Sequence, residues 1–236
     1  MRTVMLKTKI LCFINNYLTG HNEFRGHLPR PIWDIFPYRR IEHQKYHNKM
    51  HAQMAELRKV RFDVRGNGNV IEFGVTARML EGSISIVGNN NRIVIDECCI
   101  LQGVTIVMFG DNNTIHIGKN TYFFSDYQGC YIGAGNGADV MIGQDCLFAP
   151  DVFIRAEDAH KIIDVNSGET INCAQNVIIE DHVWLGAKCI LLKGVHIEHD
   201  CVIAAGSLLT EGVYKKNAIY GGRPAKLLKG NITWKM

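Results

Sequence analysis

The sequence predicts an all-β fold, a parallel β-helix in which three short strands make each turn of the chain. The main observation is a run of aliphatic residues at six-residue spacing: Ile179, Leu185, Leu191, Ile197, Ile203 and Leu209. Four positions after each comes a small or β-branched residue: Val183, Cys189, Val195, Cys201, Ser207 and Val213. A hexapeptide repeat explains this spacing, whereas helical or strand periodicity does not. Both sets are therefore expected to point into a core shared by stacked turns.

A second, longer repeat precedes the hexads. The segments 66–74, 88–96 and 110–118 share a Gly/Asn-rich start and an aliphatic end, and begin 22 residues apart; 135–143 is a weaker copy. We interpret each as an 18-residue turn widened at one corner, where Gly and Asn tolerate left-handed backbone. Calcium loops and hairpins are alternatives, but calcium loops carry more carboxylates. The β-helix should thus run over about 60–213.

The repeat has one break. Ile154 begins a hexad, yet the next clean hexad begins at Ile179, and 25 residues exceed one 18-residue turn. A projecting loop is therefore expected at about 157–174, and long loops on rigid scaffolds often carry function. The loop contains Asp158 and His160, a candidate general base with a carboxylate that orients it. The alternative is a solvated histidine with no role.

Residues 1–59 have a different pattern. Apolar spacing near the start suits an amphipathic helix, three prolines follow, and 40–60 is interpreted as a second helix. His43, His47 and His51 would share one face of that helix, a spacing that suits a metal ion, although a solvated face is the commoner outcome. We therefore predict an N-terminal helical extension.

Composition excludes several classes of protein. The 236 residues carry a formal net charge of +3, too mild to point to nucleic acid or membrane surfaces. No transmembrane run and no signal peptide are recognised, so a cytoplasmic location is expected. Cys99, Cys146, Cys189 and Cys201 occupy the small inward position of their hexads, which favours buried free thiols over disulfides.

Several motifs resemble one family. Val-Trp-Leu-Gly at 183–186 follows His160 by 24 residues, and Ile-Leu-Leu-Lys-Gly-Val occupies 190–195. Ala-Ala-Gly-Ser at 204–207 precedes Thr210, and Gly-Arg-Pro-Ala-Lys ends at Lys226. Over about 110–230 the chain is similar to hexapeptide-repeat acetyltransferases of the galactoside, maltose and polysaccharide O-acetyltransferase type. The resemblance implies a left-handed β-helix. Alanine stands at position 204 where the family usually has glycine, and glutamate stands at 211 where the family commonly has lysine. These differences affect details of coenzyme binding.

The resemblance also implies a catalytic set. His160 would be the general base that takes the acceptor hydroxyl proton and returns it to the departing thiolate. Asp158 would hold the tautomer of the imidazole. Trp184, or a backbone N–H beside it, would bind the thioester or its oxyanion, with a plain packing role as the alternative.

The implied co-substrate is acetyl-CoA, with no metal. Ala187 and Ala205 lie 18 residues apart, one turn of the helix, and would line the slot for the pantetheine arm. Thr210 belongs to the same coenzyme-binding set. Lys226 and Lys229 match the basic positions that meet the nucleotide phosphates, with solvated surface lysines as the alternative.

The family gives a saccharide hydroxyl as acceptor, most readily one in a surface polysaccharide, and Asp126 as a residue that binds it. A small acceptor such as a simple sugar, serine, an antibiotic or an amino sugar is the alternative. A zinc enzyme of the γ-carbonic anhydrase kind would need convergent histidines, and His182, His196 and His199 stand at the wrong phase. A non-enzymatic β-helix is the remaining possibility. A homotrimer is expected, since family members pack three helices with active sites between them.

The predicted organisation has three parts. Residues 1–59 form the helical extension, 60–214 the β-helix with its loop, and 215–236 a tail that contributes to coenzyme binding.

Overall fold

The structure is a computed structural model that describes residues 39–41 (backbone only), 47–52, 54–125 and 129–235. Within these residues the fold is all-β and contains no helix. The strands, in chain order, are β1 (Arg39–Ile41), β2 (Lys49–His51), β3 (Glu56–Arg58), β4 (Arg61–Arg65), β5 (Val70–Phe73), β6 (Arg78–Leu80), β7 (Ser83–Val87), β8 (Arg92–Ile95), β9 (Ile100–Gln102), β10 (Thr105–Phe109), β11 (Thr114–Ile117), β12 (Tyr122–Phe123), β13 (Tyr131–Gly135), β14 (Val140–Ile142), β15 (Leu147–Phe148), β16 (Phe153–Arg155), β17 (Val177–Ile179), β18 (Trp184–Leu185), β19 (Ile190–Leu191), β20 (Val195–Ile197), β21 (Val202–Ile203), β22 (Leu208–Leu209), β23 (Gly212–Tyr214), β24 (Ala218–Gly222) and β25 (Ala225–Gly230).

The strands form three sheets that enclose one core, and all pairs are parallel except the antiparallel pair β24–β25. Sheet A has the order β1-β4-β7-β10-β13-β16-β19-β22, and sheet B the order β2-β5-β8-β11-β14-β17-β20-β23. Sheet C has the order β25-β24-β21-β18-β15-β12-β9-β6-β3. The chain passes from sheet A to sheet B to sheet C and back, so its cross-section is a triangle. The corner between two sheets therefore lies opposite the third sheet.

The hexads fill the core as predicted. All six aliphatics of the main run are buried, with at most 1% of their surface exposed, and Val183, Cys189, Val195, Cys201 and Ser207 are fully buried. Val213 is the exception, with 53% exposed. The register explains it, because Val195 pairs with Gly212 rather than Val213. A shift of one residue turns a side chain to the other face of a strand.

The four inward cysteines are free thiols, as predicted. Cys99, Cys146, Cys189 and Cys201 are fully buried. Burial raises the pKa of the Cys99 and Cys146 thiols to about 12, which keeps them protonated and unreactive.

The 22-residue repeat is confirmed by the register, since Arg61 pairs with Ser83 and Ser83 with Thr105. Its corner contains a ladder of buried asparagines that the sequence reading did not identify: Asn48, Asn69, Asn91 and Asn113. The Oδ1 atoms of Asn48, Asn69 and Asn91 each accept the backbone N–H and the side-chain N–H of the asparagine one turn further on, at 2.7–3.1 Å. At the end of the ladder, Asn113 Oδ1 accepts the backbone N–H of Gly137 at 2.8 Å. The widened turn is thus held by its own polar stack.

The predicted second helix over 40–60 is wrong where the structure describes it. Those residues contribute β1, β2 and β3, one strand to each sheet, and pair in parallel with β4, β5 and β6. Met50 and Leu57 are partly buried and pack on the solenoid core. Sheet pairing with the next turn therefore overrides the helical periodicity. The first helix, and His43, lie outside the described residues.

The predicted loop is present. Ile142 of β14 pairs with Ile179 of β17, a separation of 37 residues, whereas the two preceding turns use 22 and 25 and the next uses 18. The extra chain projects from the corner between sheets A and B and carries one antiparallel bridge, Ile163 to Thr170. Among the described residues, no helix is long and apolar enough to cross a membrane.

Candidate active site

His160 lies exposed on the projecting loop, five residues beyond the end of β16. The loop closes on itself at its base, where the backbone N–H of Gln175 donates to the carbonyl of Ala156 at 3.0 Å. Since β16 belongs to sheet A and β17 to sheet B, His160 stands at the A–B corner. The imidazole is therefore accessible to a substrate on the outside of the solenoid.

Asp158 contacts different groups from those expected. Its carboxylate forms a short ion pair with Lys193 and accepts a hydrogen bond from Asn172 Nδ2 at 2.9 Å. Lys193, followed by Asn172, lowers the pKa of Asp158. The link to His160 runs through the backbone, because the His160 N–H donates to the Asp158 carbonyl at 2.7 Å. A direct bond from this carboxylate to the imidazole stays a prediction.

Trp184 lies on sheet C, where β18 places it between Leu147 and Val202. Its side chain is 39% exposed, so it is a surface group with one face free. The ring of Trp234 lies 6.0 Å from it at 47°.

Trp234 was not singled out by the sequence reading. Its ring stacks on His182 at 4.3 Å, and its Nε1 donates to the His182 carbonyl at 2.8 Å. Thr233 donates to Asp200 at 2.9 Å beside it. These contacts hold the C-terminal tail next to Trp184. In the sequence, the only signal for this role of Trp234 was an isolated tryptophan in the tail.

Ala187 and Ala205 occupy equivalent turns one coil apart, as predicted from their spacing. Both turns follow strands of sheet C and lead to sheet A, and the Gly206 N–H donates to the Ala187 carbonyl at 2.8 Å. A Cβ on Gly186 would lie 2.6 Å from the Ala205 backbone nitrogen, so glycine is needed for the turns to approach this closely. The two alanines therefore lie on closely stacked turns of this C–A corner.

The other predicted coenzyme residues are spread over two places. Lys226 and Lys229 are exposed on β25, which pairs antiparallel with β24 at the end of sheet C. Thr210 is exposed after β22, at the A–B corner, and its N–H donates to Tyr214 Oη at 3.1 Å. Asp126 lies outside the described residues.

Within one chain, therefore, His160 and Trp184 do not lie at the same place on the solenoid. His160 and Thr210 stand at the A–B corner, which lies opposite sheet C. Trp184 lies on sheet C, and Ala187 begins the corner that follows it. The solenoid core separates these two groups of residues.

The three histidines weighed for a zinc enzyme lie against carboxylates. His182 and His199 each approach a different oxygen of Asp200 through Nδ1 at 2.7 Å, and His196 Nε2 lies 2.8 Å from Glu180. His199 first, then His182 and the Thr233 hydroxyl, lower the pKa of Asp200 to about 2 through their hydrogen bonds to its carboxylate. In the described part of the chain, no three His, Cys, Asp or Glu side chains converge as metal ligands.

Comparisons with known proteins agree with this architecture. The family model for the hexapeptide repeat of succinyl-transferase matches residues 176–211. A polysialic acid O-acetyltransferase of Neisseria meningitidis is 30% identical over 190 residues, 73% of this chain and 88% of that protein. A second, from Escherichia coli O1:K1, is 37% identical over 108 residues, 44% of this chain and 35% of that protein. A solved structure of a polysialic acid O-acetyltransferase superposes with a TM-score of 0.75 at 29% identity, covering 80% of this chain and 88% of that one. The hexad core, the loop and these similarities show that the chain belongs to the hexapeptide-repeat acetyltransferases.

Proposed function

We propose that this acyltransferase moves the acetyl group of acetyl-CoA to a hydroxyl of a polysaccharide, with His160 as the general base. The observation that carries the acceptor class is the similarity to polysialic acid O-acetyltransferases, which extends over 88% of the Neisseria relative. The exposed histidine on a projecting loop carries the choice of base. A polymeric acceptor needs a site that is open to the surface. A base on an exposed loop meets that need.

The active form is a homotrimer in this proposal. The half-site with His160 and the half-site with Trp184 lie on opposite sides of one solenoid. A second copy that sets its sheet C against the first copy's A–B corner brings the two together. Threefold rotational symmetry then gives three equivalent sites.

The transfer needs a base, a stabiliser of negative charge and an acid. Neutral His160 accepts the hydroxyl proton as the oxygen attacks the thioester carbonyl, and the C–O bond forms. The indole N–H of Trp184, or a backbone N–H beside it, stabilises the oxyanion. When the C–S bond breaks, the imidazolium returns the proton to the thiolate, so the products are the acetyl ester and free coenzyme A.

The coenzyme would lie along the C–A corner and the end of sheet C. Ala187 and Ala205 leave room for the narrow pantetheine arm, and their turns offer backbone groups to its amides. Lys226 and Lys229 lie exposed on the last strand of sheet C, where they suit the phosphates at the other end of the coenzyme.

Turnover of acetyl-CoA against a panel of acceptors tests the proposal. The panel contains polysialic acid, neutral polysaccharides, galactosides, chloramphenicol and serine, and release of the free thiol is measured. We expect turnover with at least one polysaccharide and an acetyl ester on it by mass spectrometry. Turnover confined to small acceptors would contradict the acceptor class, and failure to bind acetyl-CoA by calorimetry would contradict the whole proposal.

Replacement of the base tests the mechanism. His160→Ala should lower kcat by about a hundredfold to ten-thousandfold, the usual contribution of a general base, without changing coenzyme binding. His51→Ala removes an exposed histidine at the far end of the solenoid and serves as the control. Near-normal turnover by His160→Ala would place the base elsewhere.

A further inference from the structure

The segment around His160 is fixed by one asparagine side chain. Asn172 Oδ1 accepts the backbone N–H of Ile162 at 2.6 Å, and Asn172 Nδ2 donates to the His160 carbonyl at 2.8 Å. The same Nδ2 donates to Asp158 Oδ2 at 2.9 Å. Asn172 lies on the part of the loop that returns to the solenoid. From there it forms hydrogen bonds with Asp158, His160 and Ile162.

Lys193 anchors this arrangement to the solenoid. It stands in the turn between β19 and β20, one coil further on, and only 18% of its side chain is exposed. Its ammonium pairs with the Asp158 carboxylate and donates to the Asn172 carbonyl at 3.0 Å. An ammonium group that is largely buried and bonded to two acceptors has few alternative positions. Lys193 therefore fixes both Asp158, on the outgoing part of the loop, and Asn172, on the returning part, to the solenoid.

A buried carboxylate fixes the residue before His160. Glu157 is 5% exposed; its Oε1 accepts from Nε and Nη2 of Arg155 at 3.0 and 2.7 Å, and its Oε2 accepts the Ala159 N–H. Ala159 has a φ of +63°, a left-handed conformation that is unfavourable for alanine. Bonds on both sides of that residue hold the backbone turn that presents His160.

We propose that Asn172 and Lys193 are positioning residues that hold His160 in place for the proton transfer, an inference that rests on the proposed role of His160. The exposed loop has little core of its own, so its geometry depends on these bonds. Catalytic groups misplaced by about 1 Å lose on the order of a hundredfold in rate, so a loosened frame should act on kcat. Asp158 serves here as the link between Lys193 and Asn172.

The test compares variants that break the frame with variants that keep it. Asn172→Ala and Lys193→Met should each lower kcat by about tenfold to a hundredfold, with the KM for acetyl-CoA unchanged within about twofold. Lys193→Arg keeps the charge and should recover most of kcat. Asn166→Ala, an exposed asparagine on the same loop, is the control for the first change and should leave kcat unchanged.

Hydrogen exchange supplies a readout that does not depend on activity. The Ile162 amide should exchange faster in Asn172→Ala, because its acceptor is gone, while amides of the flanking strands β16 and β17 keep their protection. Wild-type kcat in Asn172→Ala and Lys193→Met would overturn the inference even if His160→Ala is inactive. Loss of protection throughout the solenoid in both variants would overturn it as well, since the residues would then support folding in general. Normal turnover by His160→Ala would overturn the proposed base and this inference together.

Discussion

Removal of one buried asparagine should destabilise the solenoid far more than removal of an exposed one beside it. Asn91 is fully buried, and its Oδ1 accepts the backbone N–H of Asn113 at 3.0 Å and the side-chain N–H at 2.7 Å. Its Nδ2 donates to the Gly110 carbonyl at 2.8 Å. Asn91→Ala leaves these three groups without that partner; Asn113 is fully buried, and Gly110 is partly exposed.

The magnitude follows from the cost of unpaired polar groups. Each buried group that loses its partner costs about 1–3 kcal/mol, so the two groups of Asn113 cost about 2–6 kcal/mol, and the partly exposed Gly110 carbonyl adds less. A water molecule admitted to the vacated space would recover part of this, which places the expected loss at about 2–4 kcal/mol.

Asn89→Ala is the matched control, two residues away on the same turn. Asn89 Oδ1 accepts the Asn67 N–H at 2.9 Å and its Nδ2 donates to Asp111 at 3.0 Å, but the site is exposed. Water replaces these bonds, so the expected loss is about 0.5 kcal/mol.

Denaturant unfolding at fixed protein concentration measures the difference between the two variants. Because each turn of a solenoid contacts only its neighbours, hydrogen exchange of β8 and β11 should show where protection is lost. Equal midpoints for Asn91→Ala and Asn89→Ala would refute the assignment of a stabilising role to the ladder.

Three further changes test other parts of the molecule. Replacing both Lys226 and Lys229 with alanine should raise the KM for acetyl-CoA several-fold and change kcat less, because phosphate contacts bind ground and transition states alike; unchanged kinetics would make them ordinary surface lysines. Trp234→Ala should free the tail and increase acrylamide quenching of Trp184, whereas Trp234→Phe should keep the stack; equal quenching in wild type and both variants would refute this contact. The pKa of Asp200 is lowered to about 2, below its unfolded value near 3.9, so its contribution to stability is present above about pH 4 and is lost as pH falls towards 2. Asp200→Asn should therefore show a smaller fall in thermal stability than wild type over that pH window, and parallel profiles would contradict the reasoning.

The sequence alone determined the solenoid and the loop. The reason is that a β-helix repeats one local rule, an inward aliphatic at every sixth residue, and each copy of the rule is visible without knowing its neighbours. A break in the same phase at Ile154 located the loop, and with it His160. The resemblance of the motifs over 110–230 then named the family that the comparisons confirm.

Contacts between residues distant in the chain were decided only by the tertiary structure. Three-residue strands such as β2 and β3 have no periodicity of their own, so pairing with the next turn, rather than local pattern, turned 49–58 from predicted helix into sheet. The partner of Asp158 is Lys193, 35 residues away, and Trp234 reaches back 52 residues to His182.

The positions of His160 and Trp184 relative to each other were also decided by the fold. Nothing in the 24-residue spacing of His160 and Trp184 reveals that a corner of the triangle lies opposite the sheet that carries the tryptophan. Spacing along a chain fixes the number of turns between two residues, whereas the path of the backbone fixes the direction in which each one faces.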